Sequence, residues 1–220
     1  MARRTRTTAR VGAREDRPGE GYLSGQMLIA MPGMQDPRFA RTVICLVAHS
    51  ADGAMGIVVN KPIDGLSFDD LVRQLGLEPV PPQRSIRMLQ GGPVDGGRGF
   101  VLHTPDWSTD GSLAVTKELA MTASIDILKA IAGGGGPRRG VLALGYAGWG
   151  PGQLEEEIQR NAWLSVPADE ELLFDAEDAG PRARGGRREQ LVDFLAGDRA
   201  PHLEHAVGQA RVQHRHAHRV

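Results

Sequence analysis

The chain has 220 residues, of which 40% are hydrophobic and 24% charged, with a formal net charge of −1 and a single cysteine. These totals suit one folded domain in a soluble protein and exclude an internal disulfide. The longest apolar runs are too short to span a membrane, and none follows the N-terminal arginines as in a secretory signal, so we expect a cytoplasmic protein.

The charge is unevenly distributed along the chain. Residues 1–20 carry a formal charge of +3, residues 21–178 carry −8, and residues 179–220 carry +4. Affinity for nucleic acid depends largely on cationic side chains that neutralise phosphates. The acidic body therefore argues against nucleic-acid binding, and only the two basic ends could supply it.

Three regions follow from the composition. Residues 1–20 have no hydrophobic periodicity and are predicted to be a disordered basic arm. Residues 21–178 contain nearly all the periodic apolar segments and are predicted to be the only folded domain. Residues 179–220 form an atypical extension that is rich in arginine and histidine.

The first half of the domain predicts strands followed by a helix. Met27–Met31 reads as a strand that ends at a Pro-Gly pair, and two apolar runs around Ser50–Gly53 predict a hairpin. A short helix is expected after Ser67, which would form a capping box with Asp70, and Gly76 would end this helix.

The second half mixes strands and helices without a regular alternation. MLQGGPVDGGRGFVLHT predicts two short strands around a glycine-rich loop, and SLAVT predicts a third. MTASIDILKAIAGGGGP predicts a helix, WLSVPA a last strand and DEELLFD one further helical turn. About six or seven strands and three helices without βαβ order indicate the α+β class, built on a mixed sheet.

The segment LALGYAGWGPGQLEEEIQRNAWL has the order of strand, glycine-rich turn and helix that binds phosphate in many proteins. Here Pro151 removes one N–H donor, Glu155–Glu157 repel an anion, and no lysine follows the glycines as in a P-loop. The turn is therefore interpreted as structural. Trp149 and Trp163 are then core aromatics or, together with Gln153, the walls of a groove for a flat ligand or a peptide.

Five further positions are candidates for contact with an anionic ligand. Lys61 follows Asn60 where a strand is expected to end, although Asn-Lys-Pro is also an ordinary way to leave a strand. Gly91 and Gly92 could present backbone N–H groups as an anion-binding nest, close to the guanidinium of Arg98. A plain connector is the alternative interpretation of this loop.

His103 lies at the end of a predicted strand and could act as a general base if Asp95 or Asp106 oriented it. A structural histidine is the simpler interpretation. Cys45 lies within an apolar strand and is expected to be buried and unreactive. No residues in the domain have the spacing of a catalytic set or a metal site, and we expect no cofactor.

The segments GQMLIAMPGMQDPRFARTVICLVAH, GAMGIVVNKP, QGGPV, GFVLH and GYAGWGPGQLEEEIQRNAWL occur in this order over about residues 22–175. Together they resemble the bacterial AlgH/YqgE family. The resemblance implies an α+β fold with a branched sheet curled into a partial barrel. It implies no established enzymatic activity, and the family name carries an association with transcriptional regulation.

The resemblance ends near the C-terminus. Family members usually finish soon after the ELLFD segment with a short helical tail that contains a tryptophan, and this chain loses that pattern after Asp178. Residues 179–220 are either a genuine extension or the product of a shifted reading frame in a GC-rich gene. Reading the other frames of the coding DNA distinguishes the two.

These observations lead to one functional hypothesis with two alternatives. The first is a non-enzymatic cytoplasmic regulatory or adaptor protein, which binds a protein partner or a small ligand in a groove between the 90–98 loop and the 148–153 turn. The second is an enzyme that acts on a small anionic substrate through Lys61, Arg98 and His103. The third is a transcriptional regulator that binds DNA through its basic tails.

Overall fold

The computed structural model describes residues 22–78, 80 and 86–174. The predicted arm and the extension lie outside these residues. The described strands are β1 (Gln26–Ala30), β2 (Val43–Ser50), β3 (Gly53–Val58), β4 (Arg87–Gln90), β5 (Val94–His103), β6 (Ser112–Ala114), β7 (Ala120–Thr122), β8 (Gly140–Trp149) and β9 (Trp163–Pro167). The described helices are α1 (Phe68–Gln74), α2 (Ile125–Ala132), α3 (Gln153–Gln159) and α4 (Glu170–Phe174).

The strands form one mixed sheet. Neighbouring strands follow the order β6-β7-β5-β8-β3-β2-β1-β9 and are antiparallel. The remaining strand, β4, lies outside this path and pairs in parallel with β8. The sheet is therefore branched, and it curls into a partial barrel, which confirms the α+β class predicted from the sequence.

The branch lies in the middle of β8. The first half of this strand pairs with β4 and β5, whereas the second half pairs with β3. Gly145 separates the halves with φ +74, and a Cβ there would lie 2.6 Å from the carbonyl oxygen of Gly92. Only glycine tolerates both this backbone conformation and this close approach.

Apolar side chains cover both faces of the sheet. One cluster fills the inside of the curl and includes Met27, Cys45 and Leu102. Two other clusters lie on the outside, one beneath α1 and α2 and one beneath α3. Burial on both faces explains why several strands are continuous apolar runs in the sequence rather than alternating ones.

Several local predictions are confirmed. The hairpin forms between β2 and β3, and Ser67 caps α1 in a capping box with Asp70. The predicted strand–turn–helix–strand order from β8 to β9 is also present, as is the final helical turn, α4.

One boundary was predicted wrongly. The helix expected from Met121 onward begins only at Ile125, because Ala120–Thr122 forms the strand β7 between β5 and β6. This strand has three residues, all of them buried, and its pairing with β5 decides its conformation. So short a segment carries no readable period, and tertiary contacts override its local preference.

Candidate binding site

The aromatic side chains of the predicted groove are buried. Trp149 and Trp163 are 6% and 4% exposed, and their rings meet edge to face at 5.9 Å between centroids. Both indole N–H groups donate to Oε2 of Glu157, at 2.9 and 2.7 Å. Phe39 stacks on Trp149 from the other side. The two tryptophans therefore pack as core aromatics beneath α3.

Gln153 closes the turn that precedes α3. Its side-chain oxygen accepts the N–H of Gly150 at 3.0 Å, and its amide nitrogen donates to Oε1 of Glu157 at 2.9 Å. Gly152 caps the helix in the left-handed conformation, with φ +72. The polar atoms of this turn are thus engaged with one another, which agrees with its interpretation as a structural turn.

The glycine pair at 91–92 is held tightly against β8. The N–H of Gly91 donates to Leu144 at 2.7 Å, and its carbonyl accepts the N–H of Val58 at 2.8 Å. Gly92 has φ +155, and a Cβ there would lie 2.1 Å from the carbonyl carbon of Tyr146. The structure therefore accounts for both glycines by close packing of the backbone.

Asn60 and Lys61 bind backbone groups of the loop between β1 and β2. The side chain of Asn60 accepts the N–H of Val43 at 2.9 Å and donates to the carbonyl of Arg41 at 2.8 Å. Lys61 donates its amine to the carbonyl of Arg38 at 2.8 Å. These contacts join the end of β3 to the loop before β2.

His103 is fully buried, and both its nitrogens are hydrogen-bonded. Nδ1 donates to the carbonyl of Thr104 at 2.8 Å, so Nε2 accepts the hydroxyl of Thr122 at 2.9 Å. Burial lowers the pKa of His103 below its usual value and keeps the ring neutral. Asp106, one of the two acids considered as its partner, accepts the backbone N–H of Arg138 instead.

The structure does not bring Lys61, Arg98 and His103 into one pocket. The five residue-to-residue steps from Arg98 to His103 on β5 span about 16 Å at roughly 3.3 Å per step. The Arg98 guanidinium lies over the ring of Phe100, which belongs to the inner cluster. Side chains alternate between the two faces of a strand, so His103, three positions after Phe100, points to the opposite face. The amine of Lys61 is directed at the β1–β2 loop.

A cleft lies elsewhere, where the two ends of the sheet approach each other. We call it the seam cleft; its volume is about 440 Å³. The start of β1, the turn between β6 and β7, the end of β9, and α4 enclose it. Its lining residues are Gly25, Gln26, Thr116, Glu118, Leu119, Pro167, Ala168, Glu170 and Leu173.

Close packing at one point sets the shape of the seam cleft. A Cβ on Gly25 would lie 2.3 Å from Cγ2 of Thr116, so the turn between β6 and β7 lies directly on the start of β1. Leu119 and Leu173 form an apolar floor that continues into the inner cluster. The volume is within the range of cavities that hold a small ligand or a few side chains.

The charged groups that line the seam cleft are two carboxylates. Glu118 is exposed and accepts the hydroxyl of Thr116 at 3.2 Å. Glu170 is half-buried, and its Oε2 lies 3.7 Å from Nη1 of Arg139. Two carboxylates above an apolar floor favour a ligand that combines a cation with apolar groups.

Sequence reasoning missed the seam cleft. Its residues come from three separate segments, and none of these segments has a motif that indicates a site. The only signal in the sequence was Gly25 immediately before a strand, because an isolated glycine there often marks a close backbone approach.

The described part of the chain contains no cluster of histidine, cysteine and carboxylate side chains that could hold a metal ion. Nor is any helix in the described ranges long and apolar enough to cross a membrane.

The fold and the cleft together define a small α+β partial-barrel protein. Residues 27–182 match a family model described as AlgH-like, and the chain therefore belongs to the AlgH-like family. A UPF0301 protein from Rhodospirillum rubrum is 56% identical over 156 residues, which cover 71% of this chain and 81% of the relative. A UPF0301 protein from Afipia carboxidovorans is 54% identical over 175 residues, covering 75% of this chain and 83% of the relative.

Solved structures have the same fold. The solution structure of the AlgH protein from Pseudomonas aeruginosa matches with a TM-score of 0.64 and 44% identity, covering 82% of this chain and 92% of that one. A crystal structure of a Corynebacterium diphtheriae protein matches with a TM-score of 0.52 and 23% identity, covering 69% of this chain and 78% of that one. The second match is evidence of the fold alone.

Proposed function

We propose that this chain is a non-enzymatic cytoplasmic regulatory or adaptor protein that binds a partner in the seam cleft. The observation that carries the proposal is the cleft itself, about 440 Å³ with an apolar floor and the carboxylates of Glu118 and Glu170 at its wall. Clefts of this size at the junction of structural elements are common ligand sites.

The engagement of the reactive side chains supports a binding role over the enzymatic alternative. His103 uses both ring nitrogens in buried hydrogen bonds, and Lys61 uses its amine on a backbone carbonyl. Burial raises the pKa of the Cys45 thiol to about 12, so it is not a nucleophile at neutral pH. None of these groups forms a nucleophile–base pair with another.

The charge of the body supports a protein or small-molecule partner over DNA. Residues 21–178, which include every described residue, carry a formal charge of −8. Phosphate backbones would be repelled by this surface at ordinary ionic strength. Regulation by direct DNA binding would have to use the basic residues of 1–20 and 179–220.

The proposal is tested by mapping ligands onto the full chain with amide NMR spectra. The probes are an arginine-rich peptide, a glutamate-rich peptide, ATP and a short DNA duplex. We expect one class to shift the amides of Gly25, Thr116, Leu119 and Leu173 together. Shifts centred on Gly91, Gly92 and Arg98 would instead support the groove predicted from the sequence, and no saturable shift would contradict a binding role for the cleft.

Exchanging Glu118 for arginine should weaken the binding of a cationic probe. Asp52→Arg is the matched control, because Asp52 is also exposed but lies in the turn between β2 and β3, outside the cleft. Equal weakening by both variants would indicate general charge attraction rather than a site.

A further inference from the structure

The edge of β9 carries backbone groups that point away from the sheet. β9 lies at one end of the strand order, and among the described strands it pairs only with β1. The N–H of Met31 donates to the carbonyl of Ala162 at 2.9 Å, in register with this ladder. Because backbone groups alternate in an antiparallel pair, Leu164 and Val166 face β1, whereas Trp163 and Ser165 face outward.

Of these two outward residues, Ser165 is half-buried and accessible to a partner, whereas Trp163 is only 4% exposed. Within the described ranges, no hydrogen bond involves the backbone N–H or carbonyl of either residue. The residues of β9 are Trp-Leu-Ser-Val-Pro, so this edge has no charged side chain and ends at Pro167, which lacks an N–H. Natural proteins usually protect or cover such an edge, because it is a template for an additional strand.

The open edge leads into the seam cleft. Pro167, the last residue of β9, lines the cleft, and α4 follows directly with Ala168 and Glu170 on its wall. A strand added along β9 would therefore place one end beside Glu170 and Glu118. Exposed Glu118 has no ion pair with a described cation.

We propose that β9 accepts an extended, basic segment of a partner protein as an added strand, with an arginine or lysine of this segment in the seam cleft. The inference rests on the proposed function, since it names the partner class and the binding mode at the same site. In β-strand addition the main chain supplies affinity, and pockets for individual side chains supply specificity.

Charge disfavours the pairing of two folded bodies through β9. Pairing β9 with β9 of a second copy would bring together two bodies that each carry −8, with their cleft carboxylates near the contact. A basic segment meets an acidic body instead, and complementary charge increases the association rate as well as specificity.

The first test uses two labelled peptides and the full chain. One peptide alternates threonine and arginine, the other alternates threonine and glutamate, and binding is followed by fluorescence anisotropy. We expect saturable binding of the arginine peptide only. The inference is wrong if neither peptide binds or if both bind equally.

The second test separates strand addition from simple occupation of the cleft. Ser165→Pro removes one outward N–H and leaves the ladder to β1 intact, and edge strands tolerate proline. We expect about tenfold weaker binding from this variant, the value of one lost hydrogen bond of roughly 1.5 kcal/mol. Ser165→Ala is the control, because it keeps the N–H and removes only the hydroxyl that bonds Gln26.

A third measurement does not depend on the folding of a variant. An arginine peptide with N-methyl groups on alternate residues cannot pair as a strand, and we expect it to lose most of its affinity. The unmodified peptide should slow amide hydrogen exchange at Trp163 and Ser165. If Glu118→Arg weakens binding while Ser165→Pro and N-methylation have no effect, the cleft remains the site and strand addition is wrong.

Discussion

Trp149 and Trp163 lie at different ends of α3, yet their indole N–H groups donate to the same oxygen of Glu157, at 2.9 and 2.7 Å. Gln153 donates to the other oxygen of this carboxylate. One acid therefore satisfies the polar atoms of two nearly buried tryptophans and one end of the turn before α3.

Glu157→Ala should destabilise the protein, because it leaves two indole N–H groups without an acceptor. Each buried donor without a partner costs about 1–3 kcal/mol, so we expect a loss of roughly 2–4 kcal/mol. The measurement is the free energy of unfolding in urea, followed by tryptophan fluorescence. Glu156→Ala is the control. Its carboxylate pairs only with exposed Arg160, so its loss should cost about 0.5 kcal/mol or less.

Gly92→Ala should be far more damaging than Gly97→Ala. A Cβ at position 92 meets the backbone of Tyr146 at 2.1 Å, in a conformation with φ +155, whereas nothing lies within 4 Å of a Cβ at position 97. We expect Gly92→Ala to lower the free energy of unfolding by about 2–4 kcal/mol, because of overpacking and strain. Gly97→Ala should change it by less than about 1 kcal/mol in either direction. Equal effects in thermal denaturation would contradict close packing as the role of Gly92.

The pKa of His103 predicts a pH dependence of stability. Burial lowers this pKa in the folded state below the 6.5 of an unperturbed histidine. The unfolded state therefore binds more protons between the two values, and the free energy of unfolding falls as the pH decreases through this window. The stabilisation that comes from keeping His103 neutral is fully present above the pKa of the unfolded state.

His103→Asn removes this titration. The difference in the free energy of unfolding between the native chain and the variant should therefore narrow as the pH falls below 6.5. Urea denaturation at several pH values provides the measurement, and a difference that is independent of pH would show that His103 does not titrate with unfolding.

Cys45 should not react with thiol reagents while the protein is folded. The thiol is fully buried, and burial raises its pKa to about 12. Because this is the only cysteine, the rate of labelling reports the opening of β2 from the sheet. We expect prompt labelling in guanidinium chloride and slow labelling in native buffer at neutral pH. Prompt labelling of the native chain would contradict its burial.

Local sequence signals predicted local structure correctly. Ser67 and Asp70 are three residues apart, and the capping box that they form depends on nothing beyond α1. The hairpin between β2 and β3 likewise depends on two apolar runs and the turn between them. β7 could not be predicted in this way, because three residues between β5 and β6 adopt the conformation of their neighbours.

The candidate site was less accessible to sequence reasoning. For Gly91, Gly92 and Trp149 the sequence leaves both a structural and a ligand-binding interpretation open. In the structure the glycines fit against β8 and the tryptophan packs beneath α3. The sequence indicates the conformational preference of each residue, but it does not show whether the residue contacts other parts of the protein or a ligand.

The α+β class, the family, the order of most strands and helices, and the acidic charge of the body could be predicted from the sequence. These properties depend on residues that are near one another in the chain, or on composition. The position of the cleft depends on the tertiary structure. The curl of the sheet brings Gly25 against Thr116 and places both beside the segment from Pro167 to Leu173, so the site depends on contacts between segments that are remote in sequence.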